Sequence, residues 1–368
     1  MGEDRQHSLL SPSAAHRWLR CQKSARLTED YPDKGSDYAA EGTLAHDVAE
    51  KKLLFRLNST KRPSKCADAE MDSHTDDYCD FIFEQMAVME KPQAIVELKV
   101  DCTAYVPECK GTVDCLLIAA GVIHVIDFKY GRGVPVDADG NEQLRLYALG
   151  AIAMFGFLYD IETVRMSIFQ PRINNCTTAE MSCSVLEQWA EDTLKPKARL
   201  AWEGEGEFKA GDHCMFCKAK AECRTRAEQA MELAKLDFKR PPLLEDDEVE
   251  SILDRIDNLV AWASDIKEYA LQAALGGKKW NDYKLVEGRS NRKYTNETTV
   301  AETVSGAGFN PYEQSVLGIT AMEKMLGKKK FSELLGDLVE KPKGKPTLVP
   351  RTDKRSEINT AKNDFMEE

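Results

Sequence analysis

The sequence has no long apolar run, no apolar leader segment and no internal repeat. None of its apolar stretches approaches the roughly 20 residues that span a membrane, and the opening residues, MGEDRQHSLL, are charged and lack the apolar region of a secretion signal. These absences argue against a membrane protein and predict an intracellular, cytoplasmic one. The net charge of −12 argues against a protein that coats nucleic acid. An enzyme that meets DNA in a local basic groove remains compatible with it.

The sequence is long and apolar enough to build a substantial core. Its 368 residues, of which 42% are apolar, allow two domains or one large domain with an appendage. It also contains 11 cysteines. Because disulfides are rare in reducing compartments, clustered cysteines in an intracellular protein are best explained as metal ligands.

The stretch Gly111–Gly133 organises the chain. Two apolar runs, Val113–Ala119 and Val122–Phe128, flank a break at Gly121 and predict a β-hairpin. Side chains alternate along a strand, so Asp127 and Lys129 should share one face while Ile126 and Phe128 enter the core. Together with Asp114, these two side chains could hold a divalent cation, bind a phosphate and activate a water. A plain hairpin with a surface Asp–Lys pair is the alternative.

Hydrophobic periodicity predicts the other elements. The helices are expected at Tyr38–Leu54, Thr75–Glu90, Glu142–Leu158, Val185–Trp202, Arg224–Lys239 and Asp246–Leu275, and the further strands at Ala94–Val100 and Thr163–Gln170. Gln143 and Tyr147 are four residues apart, so they share a helix face and can reach the same site.

A basic segment near the end of the chain suggests a nucleic-acid contact. Residues Tyr283–Tyr294 could form a hairpin that carries Arg289, Arg292 and Lys293 between tyrosines. Basic and aromatic side chains together suit a single-stranded backbone and its bases. A solvated hairpin without that role is equally compatible with the pattern.

Three cysteines lie close together in the segment GDHCMFCKAKAEC. Cys214, Cys217 and Cys223 have the spacing Cys-x2-Cys-x5-Cys, which lets one loop wrap several thiolates around a metal centre. A fourth ligand must come from elsewhere, or His213 completes a zinc site.

Several of these features, taken in order, resemble the RecB-type branch of the PD-(D/E)XK nucleases. The similarity is to its iron–sulfur members, such as the AddB-type nuclease domain and the CRISPR-associated RecB-like exonucleases. The matching motifs extend over roughly residues 11–226 and are Gly42-x3-His46, Gly111-x2-Asp114, Asp127-Phe128-Lys129, Gln143-x3-Tyr147, and one cysteine (Cys21) before the core with Cys214, Cys217 and Cys223 after it. The rest of the sequence, including the tail GKPTLVPRTDKR, looks like that of uncharacterised phage proteins built on this core.

The resemblance implies a fold. It predicts an α/β restriction-endonuclease-like core, with a mixed central sheet flanked by helices and closed by an iron–sulfur cluster, and a mainly helical C-terminal appendage. The corresponding domain boundaries are residues 8–228 for the nuclease core, 243–339 for the helical region with the basic hairpin, and 340–368 for a flexible tail.

The resemblance also implies roles for individual residues. Mg²⁺ or Mn²⁺ would be held by His46, Asp114, Asp127 and the carbonyl of Phe128. Lys129 would orient the attacking water and stabilise charge on the phosphate. Glu97 would assist catalysis or merely pair with Lys99. Gln143 and Tyr147 would contact the DNA backbone or support Lys129. Tyr130 would contact DNA. A [4Fe–4S] cluster would be bound by Cys21, Cys214, Cys217 and Cys223, and Cys21 would then join the two ends of the core.

The expected function is that of a metal-dependent DNA exonuclease that works from DNA ends, chiefly on single strands, in phage recombination or replication inside the bacterial host. Its partner would be DNA, with a phage single-strand-binding or recombination protein as a further one. The alternative is a DNA-binding or scaffolding module with a structural cluster and a silent nuclease. A zinc protein with His213 as ligand is a third reading.

Overall fold

The computed structural model describes residues 8–32, 37–58, 61, 63–64, 66–234, 245–287, 294–312 and 316–340. The chain divides into two compact units, Met1–Leu285 and Val286–Glu368. Strands β1 to β5 are Gln93–Asp101, Lys110–Ala119, Val122–Phe128, Thr163–Gln170 and Asn175–Ser182. Helices α1 to α12 are Ala15–Trp18, Ser24–Leu27, Asp37–Asn58, Ala69–Ala87, Glu142–Tyr159, Cys183–Trp189, Lys195–Glu203, Arg224–Ala234, Asp246–Leu275, Glu297–Gly306, Ile319–Leu326 and Lys328–Leu335.

The five strands form one mixed sheet in the order β1-β2-β3-β4-β5. All neighbours are antiparallel except β3 and β4, which are parallel. A parallel neighbour needs a crossover, and α5 supplies it between β3 and β4. The predicted α/β class with a mixed sheet flanked by helices is therefore confirmed, as is a helical C-terminal part.

Two apolar clusters cover the two faces of the sheet. One packs α5 and the N-terminal helices on the face that carries Leu116 and Val125. The other packs α3 and α4 on the face that carries Ile126 and Phe128. The predicted hairpin is confirmed, with Gly121 at the turn in the left-handed region, φ 77°. Ile126 and Phe128 are fully buried, as the alternation of side chains predicts.

Two features of the core differ from the sequence expectation. Strand β5 was not predicted, because its residues (NCTTAEMS) are polar and it lies at the edge of the sheet, where only alternate side chains are half-buried. The helix expected at Val185–Trp202 runs from Cys183 to Glu203 but changes to π-helical geometry over Ala190–Leu194. Pro196 follows this π segment, and its missing N–H agrees with an altered hydrogen-bond ladder there.

The long helix α9 has the predicted bounds, Asp246–Leu275. Residues Tyr283–Glu287 of the expected basic hairpin are not in a strand, and Arg289, Arg292 and Lys293 lie outside the described residues. The tail beyond Glu340 and the end of the helix expected to reach Lys239 also lie outside them. Within the part of the chain that the structure describes, no helix is long and apolar enough to cross a membrane.

Candidate active site and cysteine cavity

Asp114 is fixed at the point where β2 and β3 cease to pair. The last regular pair on this side is Cys115 with Ile126, and beyond it the Asp114 Oδ2 accepts the backbone N–H of Phe128 at 2.7 Å. The carboxylate thus replaces the next ladder bond. Strand pairing, rather than loop geometry, therefore sets the position of this side chain.

Glu97 lies opposite Asp114 on β1 in an unusual backbone conformation. Its φ of 51° is in the left-handed region, within a strand whose flanking pairs are Val96–Cys115 and Leu98–Val113. Val96 packs in the cluster under α3 and α4, whereas Leu98 packs in the cluster under α5. A non-glycine residue in this region costs about 1–3 kcal/mol. Strain at this position therefore accompanies the placement of a carboxylate beside Asp114.

His46, Glu97 and Asp114 form a potential metal site. One ligand atom of each lies within 4.8 Å of the others. Helix α3 contributes His46, whose Nδ1 lies 3.2 Å from Asp114 Oδ1 and whose ring packs edge-on against Phe128 at 5.3 Å. Burial lowers the pKa of His46, but the hydrogen bond and charge of Asp114 outweigh it, so the pKa lies above its ordinary value. Glu50, one turn beyond His46, lines the same pocket and had no signal in the sequence motifs.

Asp127 and Lys129 lie side by side, as the strand period predicts. Lys129 Nζ is 3.1 Å from Asp127 Oδ2 and donates to Gln143 Oε1 at 3.1 Å. Burial raises the pKa of Asp127. Burial lowers the pKa of Lys129, but the charges of Asp127 and Asp114 outweigh it and raise the pKa above its usual value. Asp127 Oδ2 is shielded from solvent, and the Lys129 ammonium is the cation beside it.

Helix α5 completes this arrangement through its first turns. Gln143 Nε2 donates to Asp127 Oδ1 at 3.1 Å and lies 3.0 Å from the Tyr147 hydroxyl, so one amide orients the aspartate and, through its oxygen, the lysine. Tyr147 is 6% exposed, which favours a supporting role over a DNA contact. The Tyr147 ring also leaves no space for a side chain at Gly111, because an added Cβ there would lie 2.6 Å from Tyr147 Cε1.

The structure places Tyr130 differently from the sequence interpretation. It is 3% exposed and packs in the cluster with Phe128, and Arg172 lies 4.6 Å above its ring. Burial raises the pKa of Tyr130 to about 12. The interpretation of Tyr130 as a surface contact for DNA is therefore not supported, because the apolar neighbours of β3 draw this ring into the core.

The four predicted cluster ligands lie around one cavity. Cys21, Cys214, Cys217 and Cys223 all line it, although Cys21 is nearly 200 residues away along the chain. All four are free cysteines, and the backbone N–H of Lys209 donates to Cys21 Sγ at 3.4 Å. Within the described residues, no three Cys or His donors of this cavity lie within 4.8 Å of one another.

Cationic and polar side chains surround these cysteines. Arg17, Lys209 and Lys220 line the cavity, as does His213, whose Nε2 is 2.8 Å from the carbonyl oxygen of Lys209. Burial lowers the pKa of His213 and raises the pKa of the Cys214 and Cys217 thiols. The sequence analysis did not identify Arg17, since a single arginine near a cysteine is no recognisable motif.

A family model matches residues 7–356, nearly the whole chain, and its description is "Protein of unknown function (DUF2800)". The chain therefore belongs to the DUF2800 family. Among solved structures it is similar to the chain titled "Crystal structure of SSO0001", with 11% sequence identity and a TM-score of 0.32 over 61% of this chain and 89% of that one.

Proposed function

We propose that this protein is a metal-dependent deoxyribonuclease of the RecB-type PD-(D/E)XK class, which degrades DNA from its ends. One observation carries the proposal. Side chains far apart in the sequence, His46, Asp114 and the Asp127–Lys129 pair, converge at one end of β2 and β3. Each motif is common alone, but their convergence is what hydrolysis of a phosphodiester requires.

The residues present suit a divalent cation. His46, Glu97 and Asp114 offer an imidazole and two carboxylates close together, which is a donor set for Mn²⁺ or Mg²⁺. The buried carboxylate of Asp127, paired with Lys129, adds a further acceptor near this group. When bound, the ion would neutralise phosphate charge and activate a water. The Phe128 carbonyl remains a ligand implied by the family resemblance.

Lys129 is held ready to act on the reacting groups. Asp127 and Gln143 hold its ammonium from two sides at 3.1 Å each, and neither contact depends on a flexible loop. A fixed ammonium can orient a water and stabilise the negative charge that develops on a phosphate oxygen. Gln143, itself oriented by Tyr147, supports the lysine in this position.

The cysteine cavity supports a cluster better than a single zinc ion. A tetrahedral zinc site needs thiolates about 3.8 Å apart, given Zn–S bonds of about 2.3 Å. A cubane cluster binds each thiolate to a different iron and so holds them further apart. The separation of the described donors and the contact of His213 Nε2 with a backbone carbonyl both favour a [4Fe–4S] cluster on Cys21, Cys214, Cys217 and Cys223.

The substrate proposal rests on the family resemblance more than on charge. RecB-like relatives thread a free strand, so single-stranded DNA ends are the expected substrate. Phage recombination or replication in the host cytoplasm, beside a single-strand-binding or recombination protein, is the expected setting. Contacts from Lys and Arg to the phosphates would make binding salt-dependent although the net charge is −12.

The test is an assay of the purified protein on end-labelled single strands, linear duplexes and covalently closed circles, each with Mn²⁺, Mg²⁺ or EDTA. The proposal expects metal-dependent mononucleotide or short-fragment release from linear DNA and intact circles. Cutting of circles as fast as linear DNA would replace the exonuclease with an endonuclease. Binding of DNA without cleavage in any metal would favour the scaffolding alternative.

A further inference from the structure

The first helix places an arginine against the cysteine cavity. Arg17 lies one turn before Cys21, whose backbone N–H donates to the Arg17 carbonyl at 2.9 Å. The side chain of Arg17 lines the cavity together with the four cysteines. Trp18 beside it is completely buried, so this turn of helix is firmly packed.

The Arg17 guanidinium has only neutral partners among the described residues. Its Nη1 donates to the Ser24 carbonyl at 3.0 Å, to Ser24 Oγ at 3.1 Å and to Thr28 Oγ1 at 3.2 Å. Both hydroxyls donate their own hydrogens elsewhere, Ser24 to the Cys21 carbonyl and Thr28 to the Ser24 carbonyl. Each hydroxyl can therefore only accept a hydrogen bond from Arg17. No carboxylate of the described chain lies within ion-pair distance of it.

The cations on the opposite side of the cysteine segment are paired with a carboxylate. Arg226 is paired with Asp265 of α9 at 2.5 Å, and Lys220, which lines the cavity, is paired with the same carboxylate at 2.8 Å. These cations have a counter-ion in the protein. Arg17 has none among the described residues, even though its side chain is largely removed from water.

A cation removed from water is costly unless negative charge lies nearby. Burial holds the pKa of Arg17 below its usual value, and negative charge on the sulfur atoms of Cys217 and Cys21 opposes this shift. Ionised thiolates are the form that binds metal. The cavity itself is thus the nearest source of the missing charge.

We infer that Arg17 is the counter-ion of an anionic, thiolate-ligated metal centre in the cysteine cavity and favours the more negative, reduced state of that centre. The inference rests on the cysteine centre of the proposed function, but not on the nuclease activity. Reduction by one electron adds one negative charge next to a fixed cation. Removing that cation should therefore make the centre harder to reduce.

The experiment compares Arg17→Gln, Arg17→Lys and Arg26→Gln in full-length protein purified without oxygen. Glutamine is neutral but keeps a polar amide, whereas lysine keeps the charge. Arg26 is the matched control, since it lies in the next helix and is paired with Glu29 at 3.0 Å. The readouts are iron content and the midpoint potential in a dithionite titration followed by visible absorbance and electron paramagnetic resonance.

The expected result is a shift in Arg17→Gln to lower potential, with the oxidised-to-reduced ratio at fixed potential raised at least tenfold, which is 59 mV for one electron. Arg17→Lys should stay within about threefold, and Arg26→Gln should match the parent. A parental potential in Arg17→Gln at full iron content would overturn the inference. If Arg17→Gln loses the centre, Arg17→Lys decides, because loss there too would show that the hydrogen-bonding fork matters and the charge does not.

Zinc in the purified protein would refute the iron–sulfur part of the proposed function and the redox part of the inference, and only the role of Arg17 as a counter-ion would then be tested. In that case zinc release to a chelator is measured. Release at least ten times faster from Arg17→Gln than from Arg26→Gln would support the counter-ion, and equal rates would overturn it. A cavity that binds neither metal would refute both.

Discussion

The carboxylate site and the cysteine cavity are built in opposite ways. The carboxylate site stands on paired strands, and Asp114 and Asp127 take their positions from the register of β2 and β3. The cysteine cavity joins short helical turns from two ends of the core, with Cys21 on one side and Cys217 on the other. The first site is positioned by the fold, whereas the proposed metal centre in the second would hold two parts of the fold together.

The two regions should therefore respond to substitution with opposite sign. The carboxylate site carries unfavourable features, namely the left-handed Glu97, the crowded carboxylates and the buried Asp127. Such features persist at sites selected for activity and reduce stability. A metal centre bound by the cysteines, as we propose, would contribute stability because it would close a loop of nearly 200 residues.

The largest expected effect is on cleavage in Asp114→Asn. Asparagine can still accept the Phe128 N–H, so the strand end is kept while the charge on the metal site falls. Cleavage of end-labelled DNA should fall at least about a thousandfold, with an unchanged circular dichroism spectrum. Asp101→Asn, at the exposed end of β1, is the control and should cut normally. Retained cleavage by Asp114→Asn would remove this residue from the active site.

The next effect is on stability in Cys21→Ser. We expect loss of the metal centre and a fall of at least about 3 kcal/mol in the free energy of unfolding, or roughly 6–12 °C in melting temperature for a unit of this size. Cys176→Ser, an exposed thiol on β5, is the control. Full metal content and an unchanged melting temperature in Cys21→Ser would show that the cavity is not joined through this residue.

Glu97→Gly tests the strained strand and should raise stability while weakening metal binding. Glycine adopts φ 51° without strain, and one carboxylate fewer reduces repulsion in the metal-free protein, so we expect a gain of about 1 kcal/mol. Mn²⁺ affinity measured by calorimetry should fall at least tenfold. Lys91→Gly relieves a similar φ of 49° far from any ligand, and should gain stability without losing Mn²⁺. Parental Mn²⁺ affinity in Glu97→Gly would exclude Glu97 as a ligand.

The smallest effect concerns the attachment of α9 to the cysteine segment. Burial raises the pKa of Asp265, but Lys220 and Arg226 outweigh it, so the pKa lies below its ordinary value. A depressed carboxyl pKa stabilises the folded state above the unfolded pKa of about 4, and this contribution is lost as the pH falls through the folded value. Asp265→Asn should cost about 1–2 kcal/mol at pH 7 and almost nothing near pH 2.

Hydrogen exchange of the α9 amides measures this loss. Asp254→Asn, an exposed carboxylate on the same helix, is the control. Equal protection of α9 in both variants at pH 7 would show that the Asp265 ion pairs do not hold the helix.

Sequence reasoning succeeded where side-chain periodicity determines geometry. The strand period placed Asp127 beside Lys129, and the helix period placed Gln143 beside Tyr147, as the distances confirm. It could not foresee the conformation of Glu97, because a non-glycine residue gives no sign of a left-handed backbone. It also missed Arg17, whose neighbours come from helix packing and from a distant segment.

The polar edge strand of the sheet was another element that could not be predicted from the sequence. Strand β5 could not be predicted because an edge strand buries too few side chains to need an alternating apolar pattern. Sequence reasoning also missed the burial of Tyr130, because this residue directly follows the Asp127–Lys129 motif in sequence but packs in the apolar core. The place of a residue next to a motif in the sequence therefore does not show whether its side chain is exposed.

The most direct test of the account is the single-turnover cleavage rate of Lys129→Gln on an end-labelled single strand with saturating Mn²⁺. Lys129 is outside the group that would hold the ion, so Mn²⁺ affinity should match that of the parent within about threefold. The cleavage rate should nevertheless fall at least about a thousandfold, because the ammonium held by Asp127 and Gln143 is lost. A cleavage rate within about tenfold of the parent would contradict the assignment of this carboxylate–lysine site as the nuclease active site.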